Sequence, residues 1–306
     1  MQQLHDVKAA APAQTGTAFA EFVALIAALR APGGCPWDAE QTHASIASNM
    51  LEEACEAVDA IEADDAEHLK EELGDVLLEV VLQAQIAQDA GEFTIDDVIA
   101  GIDAKIVRRH PHVFGAETSL VAAGFSPEEI EQATSPGAVT DMWEHIKARE
   151  RVVKEQHRRE QALAAGRDPE EPAGLLDDVP RSLPALQQAQ KISKRAVAAG
   201  FEWDSVEDVW EKVDEERAEF EQAEPGTPDA EEELGDILFT LVNVARKEHI
   251  DAEGALRRAC GKFRARWSIM EQLARREYGA PLESLERDVL EELWNQAKQQ
   301  LRGSKQ

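Results

Sequence analysis

Glu232-Glu233-Leu234-Gly235-Asp236 repeats, residue for residue, the types found at Glu71-Glu72-Leu73-Gly74-Asp75. Working outward from this pair, Glu215-Glu216-Arg217-Ala218-Glu219 restates the Glu-Glu-x-x-Glu of Glu52-Glu53-Ala54-Cys55-Glu56. Further upstream, Gly200-Phe201-Glu202-Trp203-Asp204 echoes Gly34-Cys35-Pro36-Trp37-Asp38. Downstream, Lys105 and Arg109 return as Lys262 and Arg266, and Trp143 with Lys147 returns as Trp294 with Lys298. Five matches in one order along the chain describe a duplicated unit, and a repeat of this kind governs the fold more than any single motif.

The repeated unit is helical. Between Leu69 and Ala87 the apolar residues Leu69, Leu73, Val76, Leu77, Val80, Val81 and Ala84 recur three and four apart, which is the spacing of one helix face. Alternating strand patterns are hard to find anywhere, so the fold class is all-α, with two tandem helical-bundle domains. A chain of 306 residues accommodates two domains of ordinary size. Residues 1–18, rich in Ala, Gln and Thr, read as a flexible tail, 19–150 as the first helical domain and 181–306 as the second. Residues 151–180 start as a charged helix end and continue through Gly166, Pro169, Pro172, Gly174 and Pro180, a linker composition.

Composition narrows the function. A net charge of −29 repels nucleic acid and anionic membrane surfaces, so neither is an expected partner. The apolar run Ile237 to Ala245 falls far short of the roughly 18 residues of a membrane span. No cationic region precedes an apolar core at the N-terminus, and the expected location is the cytoplasm. Cys35, Cys55 and Cys260 are odd in number and scattered, which fits reduced thiols better than disulfides or a zinc site.

The acids carry the chemistry. Residues three apart on a helix project from one face with Cβ atoms about 5 to 6 Å apart. Glu53 with Glu56, and Glu72 with Asp75, are such pairs, separated by an interval that suits a turn between two helices. If those helices pack antiparallel, four carboxylates converge, and Glu216, Glu219, Glu233 and Asp236 do the same in the second half. An isolated Glu-rich stretch is ordinarily a solvated helix face. Here, however, the segment Glu233 to Val244 is apolar on nearly every side, so a buried helix with inward-facing acids is expected, and buried acids need partners. Gly74 and Gly235, each costing about 1 kcal/mol in a helix interior, suggest close helix approach beside the acids. Oxygen donors without His or Cys select Mg²⁺, with Mn²⁺ as the alternative.

Lys262 with Arg266, and Lys105 with Arg109, each present two cations on one helix face, an arrangement suited to phosphate oxygens, although ordinary salt bridges would explain either pair alone. Trp294 and Lys298 can stack on a base and reach a phosphate, while a Trp at this spacing is more often a core residue. Arg108-Arg109-His110-Pro111-His112 reads as a cationic helix end stopped by proline. No Walker loop or nucleophile elbow is present, which leaves hydrolysis by metal-activated water.

These residues, together with Arg108-Arg109-His110-Pro111-His112-Val113-Phe114-Gly115 and Pro180-Arg181-Ser182-Leu183-Pro184-Ala185-Leu186, resemble the bacterial MazG nucleoside triphosphate pyrophosphohydrolases over roughly residues 19–300. The resemblance implies an all-α NTP pyrophosphatase fold, a homodimer, and Mg²⁺-dependent cleavage of NTP or dNTP between the α and β phosphates to NMP and pyrophosphate, in house-cleaning or nucleotide-pool control. It places metal on Glu216, Glu219, Glu233 and Asp236, with Glu53, Glu56, Glu72 and Asp75 as the second copy. Substrate contacts are implied at Lys212, Glu215, Glu232, Lys262, Arg266, Trp294 and Lys298. The first copy has Asn49 where the second has Lys212, so a weaker or mainly structural first site is expected. A di-metal oxygenase bundle uses Glu-x-x-His where both halves here have Glu-x-x-Asp. A non-catalytic nucleotide-binding regulatory helical dimer is the remaining alternative.

Overall fold

A computed structural model describes residues 13–114, 134–166 and 174–303. Among these the regular elements are helical and no strand occurs. The chain divides into two compact units, residues 1–170 and 171–306. The all-α, tandem architecture expected from the repeat is present.

The first unit comprises α1 (Ala13–Arg30), α2 (Pro36–Glu40), α3 (Ala47–Glu62), α4 (Ala66–Asp89), α5 (Ile95–Arg109), α6 (Pro111–Phe114) and α7 (Pro136–Ala164). The second comprises α8 (Ala185–Ala198), α9 (Val206–Gln222), α10 (Pro228–Lys247), α11 (Ala252–Glu277), a 3₁₀ turn at Leu282–Ser284 and α12 (Arg287–Gly303). Of the tail assigned to residues 1–18, the first twelve lie outside the described residues, and Ala13 onward already belongs to α1. Helix α7 runs to Ala164, so the segment 151–180 begins within a helix; residues 167–173 lie outside the described residues.

Local chemistry sets the helix starts. Ser205 and Asp208 form a reciprocal capping box at the head of α9, as Thr94 and Asp97 do for α5. Thr227 caps α10 by accepting from the Ala230 N–H, and Pro228 occupies the first turn, where its missing N–H costs nothing. Each acid-bearing helix pair is a tight hairpin: α3 packs on α4 and α9 on α10. The first turn is closed by Asp64 at φ +54° and the second contains Gly226 at φ +80°. Gly34 is needed for a different reason, since a Cβ there would collide with the carbonyl oxygens of Ala28 and Leu29.

The core of the first unit gathers Ile26 of α1, Ile46 at the head of α3, Val81, Leu82 and Ile86 of α4, and Ile95 of α5. That of the second gathers Met270 and Leu273 of α11, Leu282, and Leu293 and Ala297 of α12, with Trp294 packed against it. A polar lock ties α8 to α10. Arg246 donates from both terminal nitrogens to Glu202, each at 2.6 Å, and from Nε to Ser193 Oγ at 2.7 Å, while Ser193 bonds Asn243.

Two expectations are corrected. The helix carrying Glu233 and Asp236 is not buried all round: Leu234, Leu238 and Leu241 are 46%, 48% and 37% exposed, and they lie four and three residues apart on one ridge. Leu73 and Leu77 form the corresponding exposed pair on α4. Gly74 and Gly235 adjoin these ridges, and a Cβ at either would meet nothing within 4 Å. The reason is common to both corrections: α4 and α10 each pack one side into their own unit, and among the described residues nothing covers the other. No helix among the described residues is long and apolar enough to cross a membrane. All three cysteines are unpaired thiols.

Candidate active site

Each hairpin brings three carboxylates together. In the second unit Glu216 of α9 meets Glu233 and Asp236 of α10, one oxygen from each lying within 4.8 Å of the others. In the first, Glu53 and Glu56 of α3 meet Glu72 of α4 within the same limit. The fourth acid of each set stands outside the close triple. Glu219 is exposed and Asp75 half-buried, yet both act on the cluster electrostatically.

The electrostatics confirm crowding. Burial, then the charges of Glu219, Glu216 and Asp236, push Glu233 above the ordinary carboxylate value of 4.5. Burial, then Asp75, Glu56 and Glu72, do the same to Glu53. Glu72 is likewise raised by burial and by Glu56, and its Oε2 is buried without a hydrogen-bond partner. An orphaned carboxylate oxygen in an all-oxygen donor set is what a hard cation satisfies. Ligands about 2.1 Å from Mg²⁺ stand about 3.0 Å apart when adjacent and about 4.2 Å apart when opposite, so small side-chain rotations within the triple meet the requirement. Glu216, Glu233 and Asp236 could therefore hold a hard divalent cation, as could Glu53, Glu56 and Glu72.

The two clusters differ in their built-in cation. Lys212 Nζ stands 2.8 Å from Glu216 and 3.0 Å from Glu215, and hydrogen bonds from it to these two acids hold its ammonium charged well above the usual lysine range. Asn49 at the corresponding place offers no charge, and the first cluster instead has His68, 2.8 Å from Glu72. The reading of the sequence missed His68, although its four-residue spacing from Glu72 was available. It also missed Glu79, buried two turns beyond Glu72 with Oε2 unpartnered, which burial pushes above the usual range.

The cationic and aromatic candidates form a second group. Arg266 of α11 lays its guanidinium over the Trp294 ring of α12 at 5.1 Å, and its Nε is buried without a partner. Phe263 packs against the same indole at 5.1 Å. Lys262 is exposed, Lys298 half-buried and Glu232 exposed. No hydrogen bond or ion pair between described residues joins this group to the acid triple. In the first unit Arg109 is taken by Glu150 at 2.6 Å, and Lys147 pairs with Glu144.

The sequence pattern of the MazG nucleotide pyrophosphohydrolase domain matches residues 41–114 and 205–268. The chain is 39% identical over 285 residues to the nucleoside triphosphate pyrophosphohydrolase/pyrophosphatase MazG of Thermotoga maritima, covering 93% of this chain and 97% of that one. The chain belongs to the MazG family. The nucleoside triphosphate pyrophosphohydrolase of Escherichia coli K12 is 40% identical over 284 residues, covering 91% of this chain and 96% of its own. A third relative, the uncharacterized protein YabN of Bacillus subtilis, is 43% identical over 289 residues, 94% of this chain and 53% of the other. Both MazG matches contain a complete acid set, and the second extends through Lys262 and Arg266 but stops before Trp294 and Lys298.

Proposed function

We propose that this MazG-family chain hydrolyses nucleoside triphosphates, ribo- or deoxyribo-, with Mg²⁺ or Mn²⁺, breaking the bond between the α phosphorus and the bridging oxygen to give a monophosphate and pyrophosphate. The observation that carries this reading is the all-oxygen triple of Glu216, Glu233 and Asp236 braced by Lys212.

The three acids would hold the cation, and Lys212 fixes the Glu216 carboxylate in place from one helical turn away. A cation held there would supply polarisation of the α-phosphoryl oxygens and a more acidic water. Glu219, exposed and outside the close triple, is left to take the proton of the attacking water. Arg266 has a buried Nε with no partner, and exchanging the Trp294 face for phosphate oxygens both satisfies that nitrogen and frees the indole to stack on a base. Lys262 and Lys298 add charge along the polyphosphate, while Glu215 orients Lys212 and Glu232 lies beside the metal acids. The second unit is the principal site, because the first lacks the lysine and has its Arg109 engaged by Glu150.

A homodimer formed through the exposed ridges of α4 and α10 belongs to the same proposal. The Leu234, Leu238 and Leu241 ridge adjoins the acids and recurs as Leu73 and Leu77, and contiguous exposed apolar surface of this kind marks an interface. A cytoplasmic role in clearing or balancing nucleotides is consistent with this chemistry. The deciding experiment is product analysis by ion-exchange chromatography after incubation with ATP and dNTPs in Mg²⁺, beside Glu216→Ala. Monophosphate and pyrophosphate, lost in the variant, support the reading; diphosphate and phosphate, or nucleotide binding without turnover, refute it in favour of a regulator.

A further inference from the structure

The two acid clusters repeat each other in their carboxylates and differ in what stands beside them. Four residues ahead of Glu233 the second unit has Asp229; four residues ahead of Glu72 the first has His68. His68 sits in the first turn of α4, where its backbone N–H donates to the capping Asp65 side chain at 3.1 Å. From there its Nε2 reaches Glu72 Oε1, one turn on, at 2.8 Å. A His and a Glu four apart on a helix ordinarily make a modest surface contact. Here the Glu72 side chain is only 7% exposed, and one of its oxygens lies within 4.8 Å of one from Glu53 and one from Glu56. Its Oε2 is buried with no hydrogen-bond partner. The contact with His68 therefore leaves half of this carboxylate unsatisfied inside a cluster of like charges, and a cation at that point answers both deficits.

The neighbouring basic group decides which cation. In the second unit that group is Lys212, whose ammonium has no lone pair and cannot be a ligand, so the site offers oxygen alone. The first unit has uncharged Asn49 at that place, and the basic group against its acids is an imidazole, which can be a ligand. Ligands about 2.1 Å from one ion stand about 3.0 Å apart when adjacent, and the 2.8 Å between His68 Nε2 and Glu72 Oε1 is close to that. Imidazole combined with carboxylate suits zinc and its neighbours in the first transition row, whereas magnesium keeps to oxygen.

We infer that the first unit holds a transition-metal site, in which His68 joins Glu72 and the acids of α3 to select a zinc-type divalent cation over Mg²⁺. The duplicated scaffold then carries two ion specificities, and the difference comes from a residue outside the repeated acids. The inference concerns ion binding alone and is independent of whether either unit hydrolyses nucleotides.

The test is calorimetric titration of the full chain with Zn²⁺ and, separately, with Mg²⁺, in a Glu216→Gln/Glu233→Gln background that silences the second cluster. One Zn²⁺ per chain is expected, bound at least about tenfold more weakly in His68→Ala, with Mg²⁺ affinity little changed. Carboxylates alone already favour Zn²⁺ over Mg²⁺, so the deciding quantity is this selective loss. His68→Asp gives the first unit the residue type found at 229 and should narrow the gap between the two ions. The His68 side chain is 46% exposed, so the metal-free variants should keep the circular dichroism and melting temperature of the parent. X-ray absorption of the Zn²⁺-loaded protein should show an imidazole in the coordination shell, absent from His68→Ala. Cys55 lies between Glu53 and Glu56 in the sequence and is an exposed thiol, which makes it the rival ligand. Zn²⁺ binding that falls in Cys55→Ser and survives in His68→Ala overturns the proposal. So does the absence of saturable Zn²⁺ binding, or a loss in His68→Ala that is equal for both ions. No nucleotide is present, so the outcome is separate from that of the hydrolase reading.

Discussion

Replacing Arg246 with alanine removes the lock between α8 and α10, the helix that carries Glu233 and Asp236. Arg246 makes two hydrogen bonds of 2.6 Å to Glu202 and one of 2.7 Å to Ser193. Its side chain is 10% exposed and that of Glu202 is 30% exposed. Breaking a fully buried pair by removing one partner costs about 3 to 5 kcal/mol, and the access of water to Glu202 reduces this to about 2 kcal/mol. For a unit of this size each kcal/mol corresponds to about 3 to 5 °C, so the melting transition of the second unit should fall by about 6 to 10 °C. The hydrogen bonds from Arg246, ahead of all other influences, hold Glu202 below the usual carboxylate range. A depressed carboxylate contributes stability that is full above its unfolded value and lost as pH falls through its folded one. The gap between parent and variant should therefore be widest at neutral pH and close in acid. Differential scanning calorimetry at pH 7 and below pH 4 measures both. A shift under about 2 °C at pH 7, or a gap that persists unchanged in acid, would refute the argument.

Glu216→Gln should weaken Mg²⁺ binding at least about 100-fold, whereas Glu219→Gln should lower kcat with a much smaller effect on Mg²⁺; calorimetry and steady-state kinetics separate the two, and equal losses of Mg²⁺ affinity would return Glu219 to the ligand set. Because burial and neighbouring acids raise Glu233, protons compete with the metal at higher pH than for an ordinary carboxylate: Mg²⁺ affinity should be full above the raised value and decline as pH falls through it. In the metal-free protein the same group works the other way, since protonation relieves the crowding, and Mg²⁺ titrations and melts at stepped pH give opposite slopes if this holds. Leu234→Glu/Leu238→Glu should yield monomers in sedimentation velocity while keeping the helical circular dichroism; an unchanged sedimentation coefficient counts against the ridge as the interface.

Helical hairpins and acid pairs were legible because they are local: the spacing of Leu69, Leu73 and Leu77 sets a helix, and Glu72 with Asp75 sets a face. What covers a face is not local. Periodicity gave α10 apolar residues on nearly every side, yet the fold leaves Leu234 and Leu238 in solvent, and Gly235 has open space where close packing was expected. The composition of the site was readable to the level of four acids, but which three approach within 4.8 Å depends on side-chain placement across a turn. The lock of Ser193, Glu202 and Arg246 joins residues more than forty positions apart and leaves no periodic trace. The same holds for Glu150 on Arg108 and Arg109.

The exposed leucines of α10 share a helix with two of the three metal-directed acids, so a turn of that helix carries both features at once. If the ridge is the seam between copies, specific activity would not be a constant of the molecule. Serial dilution would erode it, mixing with an inactive copy would restore or suppress it according to which seam forms, and the cell could set turnover through the amount of chain it makes.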